Sequence, residues 1–400
     1  MRSETREPGA PATAGMIPLA VPNISGHEWA YVKDCLDTGW VSSVGDYVTR
    51  FETGLAAYVG AKHGVAVASG TAALHLALQL SGISRDEEVV MPSLTFIAPA
   101  NALRYVGAWP VFVDVDAEFW QLDPNQLEAF LREDCTQEAG GLRNRRTGRR
   151  VSGVLPVDTL GHPCDLEPIL LLAREFGLAV VEDACESLGA HYRDRPLGQW
   201  SPITCFSFNG NKTITTGGGG MIVTDDGDFA RKGRYFATQA KDDPVEYVHG
   251  AVGYNYRLTN VQAAVGCAQL ECLDAFIERK RAIAQRYTET LQSVPGITPM
   301  NEAPWVRSAF WLFTVLVDEA RYGMDSRRLL RTLDECGVQT RPLWQPLHRS
   351  PAHTKSYARS CPVAERLSRD ALSLPSSTNL TEQQQESVIA AVRRYAQASD

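Results

Sequence analysis

The sequence predicts an α/β fold, a mostly parallel sheet covered by helices on both faces, followed by a smaller α+β domain. Two observations predict it. From Ile17 to about Leu270, short apolar runs alternate with segments of helical periodicity, the rhythm of βαβ units. After Leu270 the character changes: LECLDAFIERKRAIAQRYTETLQSV is one long charged amphipathic helix, suited to lead out of the first domain. The expected division is a leader over residues 1–16, a large domain over 17–270 and a small domain over 271–400.

Taken in order, HEWAYVKDCLDTGW reads as a helix stopped at Gly39, and VTRFETGLAAYVG as a second with Gly60 as its C-cap. HGVAVASG is a buried strand that meets the helix TAALHLALQLSG, whose start is marked by Ser69, Gly70 and Thr71. EEVVMP is a strand, TFIAPANALRYVG a helix, and WPVFVDVD a strand. VSGVLPVD and LAVVED are further strands, separated by the amphipathic helix LEPILLLAREFG. FWLFTVLVD, a helix near Ser326 to Cys336, RPLWQPLH and a terminal helix compose the small domain. Strand C-termini then fall along one edge of the sheet, where ligands collect.

Composition narrows the function classes. A net charge of −8 gives no reason to expect nucleic acid or an anionic membrane surface as partner. The basic run RNRRTGRR, Arg143 to Arg150, reads as an exposed hairpin tip, with phosphate binding as the other reading. Nine cysteines without CxxC spacing argue against a disulfide framework and a zinc site. Cys185 and Cys205 sit in apolar, strand-like surroundings and read as core filler. No apolar run is long enough to span a membrane. The first sixteen residues are rich in Pro, Ala and Gly, lack an apolar core of the signal-peptide kind and read as a disordered leader. A cytoplasmic location is expected.

Four features could carry chemistry. Asp183 ends the run LAVVED; there it caps the next helix or keeps a ring nitrogen protonated. The turn Ser69-Gly70-Thr71 offers bare backbone N–H groups at a helix N-terminus, a phosphate cradle or an ordinary cap. Phe96 follows a strand end, as core or as a flat plate for a planar cofactor. Lys212, in FSFNGNKTITTGGGG, has hydroxyl and amide neighbours but no nearby carboxylate in sequence, so its buried amine would lose a proton readily. Gly217 to Gly220 remove side chains where a backbone must come close to something, or form a hairpin. Phosphate cradle, aromatic plate, strand-end acid and lysine are together the parts that pyridoxal 5′-phosphate (PLP) needs.

SGTAALHLAL, PSLTFIAPANA, VEDACESLGA, FSFNGNKTITTGGGG, GYNYRLTNVQAAVG and RPLWQPLH resemble the nucleotide-sugar aminotransferases of the DegT type, in the family's order over nearly the whole chain. The resemblance implies a fold type I PLP enzyme with a mostly parallel seven-stranded sheet and a smaller C-terminal α+β domain. It implies Lys212 as the Schiff-base lysine, Asp183 as partner of the pyridine nitrogen and Phe96 as the stacking ring. Gly70, Thr71 and Ser207 become phosphate contacts. Glu186 stands where many members have Gln, beside the ring's 3-oxygen. Asn255 matches an asparagine that reaches the neighbouring subunit's cofactor, implying a homodimer with shared active sites. His348 becomes a candidate substrate contact or a surface histidine. Arg257, Arg341 or the run near Arg143 become candidates for the nucleotide phosphates, with a purely structural Arg257 as the other reading.

The opening segment, PNISGHEWAYVKDCLDTGWVSSVGDYVTRFE, resembles the branch that aminates UDP-linked 4-keto-6-deoxy-N-acetylhexosamines with L-glutamate as donor. The alternatives are a GDP-sugar aminotransferase of the perosamine type, a sugar dehydratase or an amino-aromatic synthase of the same family. A dehydratase usually has histidine in place of the lysine, so Lys212 counts against it. A non-catalytic regulator keeping the fold is disfavoured by the full set of cofactor residues.

Overall fold

A computed structural model describes residues 15–243 and 245–396. The expected leader thus lies outside the described residues, apart from Gly15 and Met16. Seven strands, with the short Tyr357–Ala358 pairing parallel beside Trp109–Val113 at one edge, build the central sheet: β1 (His63–Val67), β2 (Glu88–Pro92), β3 (Trp109–Val113), β4 (Val151–Val154), β5 (residues 179–183), β6 (Ile203–Ser207) and β7 (Gly220–Thr224). Their spatial order is β1-β7-β6-β5-β4-β2-β3. β7 is antiparallel to both neighbours, and every other pairing is parallel. β5 joins the two halves: Ala179–Val180 pair with β4, Glu182–Asp183 pair with β6, and the Asp183 N–H donates to the Pro156 carbonyl at 2.9 Å. All residues of β2 and β7 are buried, as strands covered on both faces must be.

The helices follow from local pattern. Leu166, Ile169, Leu172 and Ala173 form the buried stripe of Leu166–Phe176, and Gly177 at φ +67° stops it. RNRRTGRR turns between two paired segments: the Asn144 N–H donates to the Arg149 carbonyl at 3.0 Å. Arg150 pairs with Glu87 at 2.9 Å, and Arg149 lies 3.7 Å from Glu88. These acids sit at the N-terminal end of β2, so the run faces the edge of the sheet away from the strand C-termini. Within its own chain the run therefore lies away from the edge where ligands collect.

The C-terminal unit has its own antiparallel sheet of β8 (Ile297–Pro299), β9 (Phe313–Val317), β10 (Arg341–Pro342) and β11 (Ala371–Leu374), in the order β8-β9-β11-β10. Its core includes Phe313, Leu329, Leu372 and Val388. The helix Leu273–Leu291 serves both units: Phe276 and Ile277 pack in the large core, Ile283 and Tyr287 in the small one. The chain start crosses over too. Ile17 exchanges backbone hydrogen bonds with Gly337 and Gln339, and the Leu19 carbonyl accepts from Ser376. These first residues pack on the C-terminal unit, whereas a boundary at 17 assigned them to the large domain. Among the described residues no helix is long and apolar enough to cross a membrane.

Candidate active site

Most ligand-facing residues stand along one edge because the strands are parallel. β1 ends into Ser69-Gly70, β2 leads to Phe96, β5 ends at Asp183 and β6 at Ser207. β7 runs the other way, so its first residue, Gly220, lies at the same edge. Together they line a cleft of about 360 Å³ that contains Gly70, Thr71, Phe96, Asp183, Glu186, Ser207 and Lys212.

The floor is the turn at the start of helix Gly70–Leu80. The Ser69 hydroxyl accepts the Ala72 N–H at 3.0 Å, which leaves the Gly70 and Thr71 N–H groups outside the helical ladder. A Cβ on Gly70 would lie 2.8 Å from Ser207 Cβ and 2.9 Å from Cys185 Sγ, so only glycine lets the turn approach β6. Gly220 is held more tightly: its Cβ would lie 2.5 Å from the Ser69 carbonyl carbon. One of the four glycines thus packs against the anion cradle itself. Gly217, at φ +78°, supplies a left-handed turn.

Asp183 is buried, and one of its oxygens accepts the Cys185 N–H at 3.1 Å. Burial raises its pKa, opposed by the Cys185 contacts and by the charge of Lys212. Lys212 Nζ lies 3.4 Å from Glu186 Oε1 and 3.9 Å from the centre of the Trp311 ring. The expectation of an amine without a counter-ion is therefore corrected: Glu186, distant in sequence, supplies one. Glu186 is buried, which raises its pKa against the pull of Lys212 and of the Leu160 N–H, donated at 2.8 Å. Leu160 makes that bond at φ +64°, a strained backbone for a leucine. Phe96 is 52% exposed, which rules out the core reading. Cys205 is core filler as expected, but Cys185 lines the cleft.

Other expected residues lie outside this cleft. Arg257 is spent on an ion pair with buried Glu52. Arg341 is exposed on β10. His348 binds Ser93 Oγ at 2.6 Å and Glu365 at 3.1 Å with its two ring nitrogens, so it is held within the chain and is not a free surface histidine. Asn255 is exposed and bridged to Thr238, away from the cleft of its own chain. Trp311 and Trp344 do line the cleft, and the sequence reading assigned neither a role. Trp311 lies two residues before the strand Phe313–Val317 and Trp344 two residues after Arg341–Pro342.

The donor set fits PLP: an anion cradle without side chains, a buried acid for a ring nitrogen, an exposed aromatic face and an amine beside a carboxylate. Residues 22–393 match the DegT/DnrJ/EryC1/StrS aminotransferase family. The chain belongs to that family. Its fold, enzyme class and cofactor follow: it is a PLP-dependent sugar aminotransferase. The GDP-perosamine synthase of Caulobacter vibrioides is 40% identical over 379 residues, covering 94% of this chain and 97% of that protein. The enzyme of the same name from Escherichia coli O157:H7 is 38% identical, covering 92% of this chain and 95% of that one. Among solved structures, the aminotransferase TlmJ from Streptoalloteichus hindustanus superposes with a TM-score of 0.85 at 29% identity, over 95% of this chain and 98% of its own. The names of these relatives match the GDP-sugar alternative better than the UDP-sugar branch that the opening segment resembles.

Proposed function

We propose that this aminotransferase moves the amino group of L-glutamate to the 4-keto carbon of a GDP-linked 4-keto-6-deoxy hexose, giving a perosamine-type sugar. The observation that carries the reading is the likeness, at 40% and 38% identity along nearly the whole chain, to two enzymes named GDP-perosamine synthase. PLP, when bound, supplies the electron sink that makes the bond to an α-proton labile. Gly70, Thr71 and Ser207 would hold its phosphate, and Phe96 would cover a face of its ring. Asp183 keeps a proton on the ring nitrogen, because a cation there offsets the burial of its carboxylate. Glu186 would stand near the cofactor's ring oxygen, and it holds the Lys212 ammonium in the cleft at 3.4 Å. Lys212 would be the amine that holds the cofactor, and its Nζ would accept and return the proton during transfer.

A homodimer with shared sites completes the reading. Among the described residues Lys212 is the only basic side chain lining the cleft, yet the sugar nucleotide and glutamate bring several negative charges. Cations or amides from a second chain would meet them, and Asn255 stands on a segment flanked by exposed Tyr247, Val248 and Val252. In the direct test, isotopically labelled glutamate nitrogen should appear in the GDP-sugar product and be absent with Lys212→Ala. Transfer undiminished in Lys212→Ala would remove that lysine from its role.

A further inference from the structure

Trp311 reaches the amine of Lys212 from the C-terminal unit, and three contacts fix it there. Its ring centre is 3.9 Å from Lys212 Nζ. Its indole N–H donates to the Asn211 carbonyl at 2.7 Å, next to Lys212 in the chain. Its own carbonyl accepts from Lys280 Nζ at 2.9 Å. Lys280 also donates to the Ser376 carbonyl at 3.0 Å. The backbone behind the ring has no room to retreat: a Cβ on Gly161 would lie 2.5 Å from the Trp311 nitrogen, and Phe310 sits at φ +45°.

Lys280 is otherwise hard to explain. It is 5% exposed, lies on the helix that serves both units, and makes no ion pair among the described residues. Burial pushes its ammonium down to about 7. An apolar side chain would occupy the same space without desolvating an amine. What the lysine adds is a pair of hydrogen bonds that tie the Trp311 carbonyl to the Ser376 carbonyl.

We propose that Trp311 and Lys280 are positioning residues that aim the Lys212 amine at the cofactor. The face of the indole attracts the ammonium and, with Glu186 at 3.4 Å, confines it when it is not linked. Lys280 acts one step further back, by holding the ring. The inference rests on Lys212 as the cofactor-linking residue.

The test uses holoenzyme saturated with PLP, as parent, Trp311→Leu, Trp311→Phe, Lys280→Met and the Trp311→Leu/Lys280→Met double variant. Total bound PLP is measured after gel filtration, and the rate at which borohydride fixes it to Lys212 is followed by peptide mass. Total PLP should stay within about twofold of the parent, since the phosphate turn is untouched. Fixation should slow by about three- to thirtyfold in Trp311→Leu, the range of a desolvated cation–π contact. Trp311→Phe, which keeps a ring, should retain most of the parental rate. Lys280→Met should move in the same direction, and the double variant should be no slower than Trp311→Leu. Should Trp311→Leu not fold, Trp311→Phe and Lys280→Met decide by the same two readouts. Parental fixation rates in Lys280→Met and the folded Trp311 variants would overturn the proposal, as would loss of bound PLP in step with fixation, which marks a structural role. A parent enzyme that binds PLP but fixes none to Lys212 would instead overturn the proposed role of Lys212.

Discussion

At Lys280 the ammonium is buried without a counter-ion among the described residues, and linkage turns that into a pH dependence of stability. Its pKa falls from 10.5 to about 7 on folding. Between those values the unfolded chain binds a proton that the folded chain does not, so this group makes stability rise with pH. Below about pH 7 both states are protonated and the full penalty is present; it is relieved as pH climbs from 7 toward 10.5. The slope from one such group is at most about 1.4 kcal/mol per pH unit. Urea unfolding of wild type and Lys280→Met at pH 7, 8 and 9 should show the difference between them changing in favour of wild type as pH rises. A pH-independent difference would contradict the buried-amine account. None of this was legible in ERKRAIAQ, where Lys280 is one cation among four in a charged helix. Lys212 could be singled out because its neighbours are uncharged, but its counter-ion, Glu186, is brought to it only by the parallel pairing of β5 with β6. His348 and Arg257 misled for the complementary reason: their partners Ser93, Glu365 and Glu52 are remote in sequence.

Elements were more legible than contacts between them. The alternation of apolar runs with helical stretches placed β1 to β5, because buried strands must be apolar on both faces; Ile203–Ser207 was not singled out as a strand. Gly39 and Gly60 end their helices at φ +77° and +74°, as their positions foretold. The antiparallel β7 was not legible as such: MIVTDD looks like any buried strand, and only the length of the loop before it decides its direction. That reversal brings Gly220 against the turn after β1, a close approach the four glycines announced without naming its object. Gly220→Ala puts a methyl 2.5 Å from backbone atoms of Ser69, which cannot rotate away. The variant should lose about 1–3 kcal/mol of stability and gain less thermal stabilisation from added PLP than wild type does. Equal PLP-induced shifts in melting temperature would show that the turn tolerates the methyl.

At the scale of the whole molecule, two units close over one cleft, and each contributes to it. The large unit supplies cradle, acid and lysine; the C-terminal unit supplies Trp311 and Trp344. Among the described residues Lys212 is the one basic side chain of the cleft, and the proposed sharing of sites between two chains can be tested directly. Lys212→Ala and Asn255→Ala proteins, each inactive alone, should regain activity when mixed and reassembled, up to about one intact site per mixed pair. No recovery above the separate variants would count against sharing. Substrate class was the least legible property, since which nucleotide is held depends on loop geometry, not on the residues that hold the cofactor. The most direct test is a side-by-side assay of GDP-, UDP- and dTDP-linked 4-keto-6-deoxy sugars with L-glutamate, read by product mass. The account predicts an amino sugar formed most efficiently from the GDP-linked substrate. Efficient amination of a UDP-linked N-acetylhexosamine with none of the GDP sugar would contradict it.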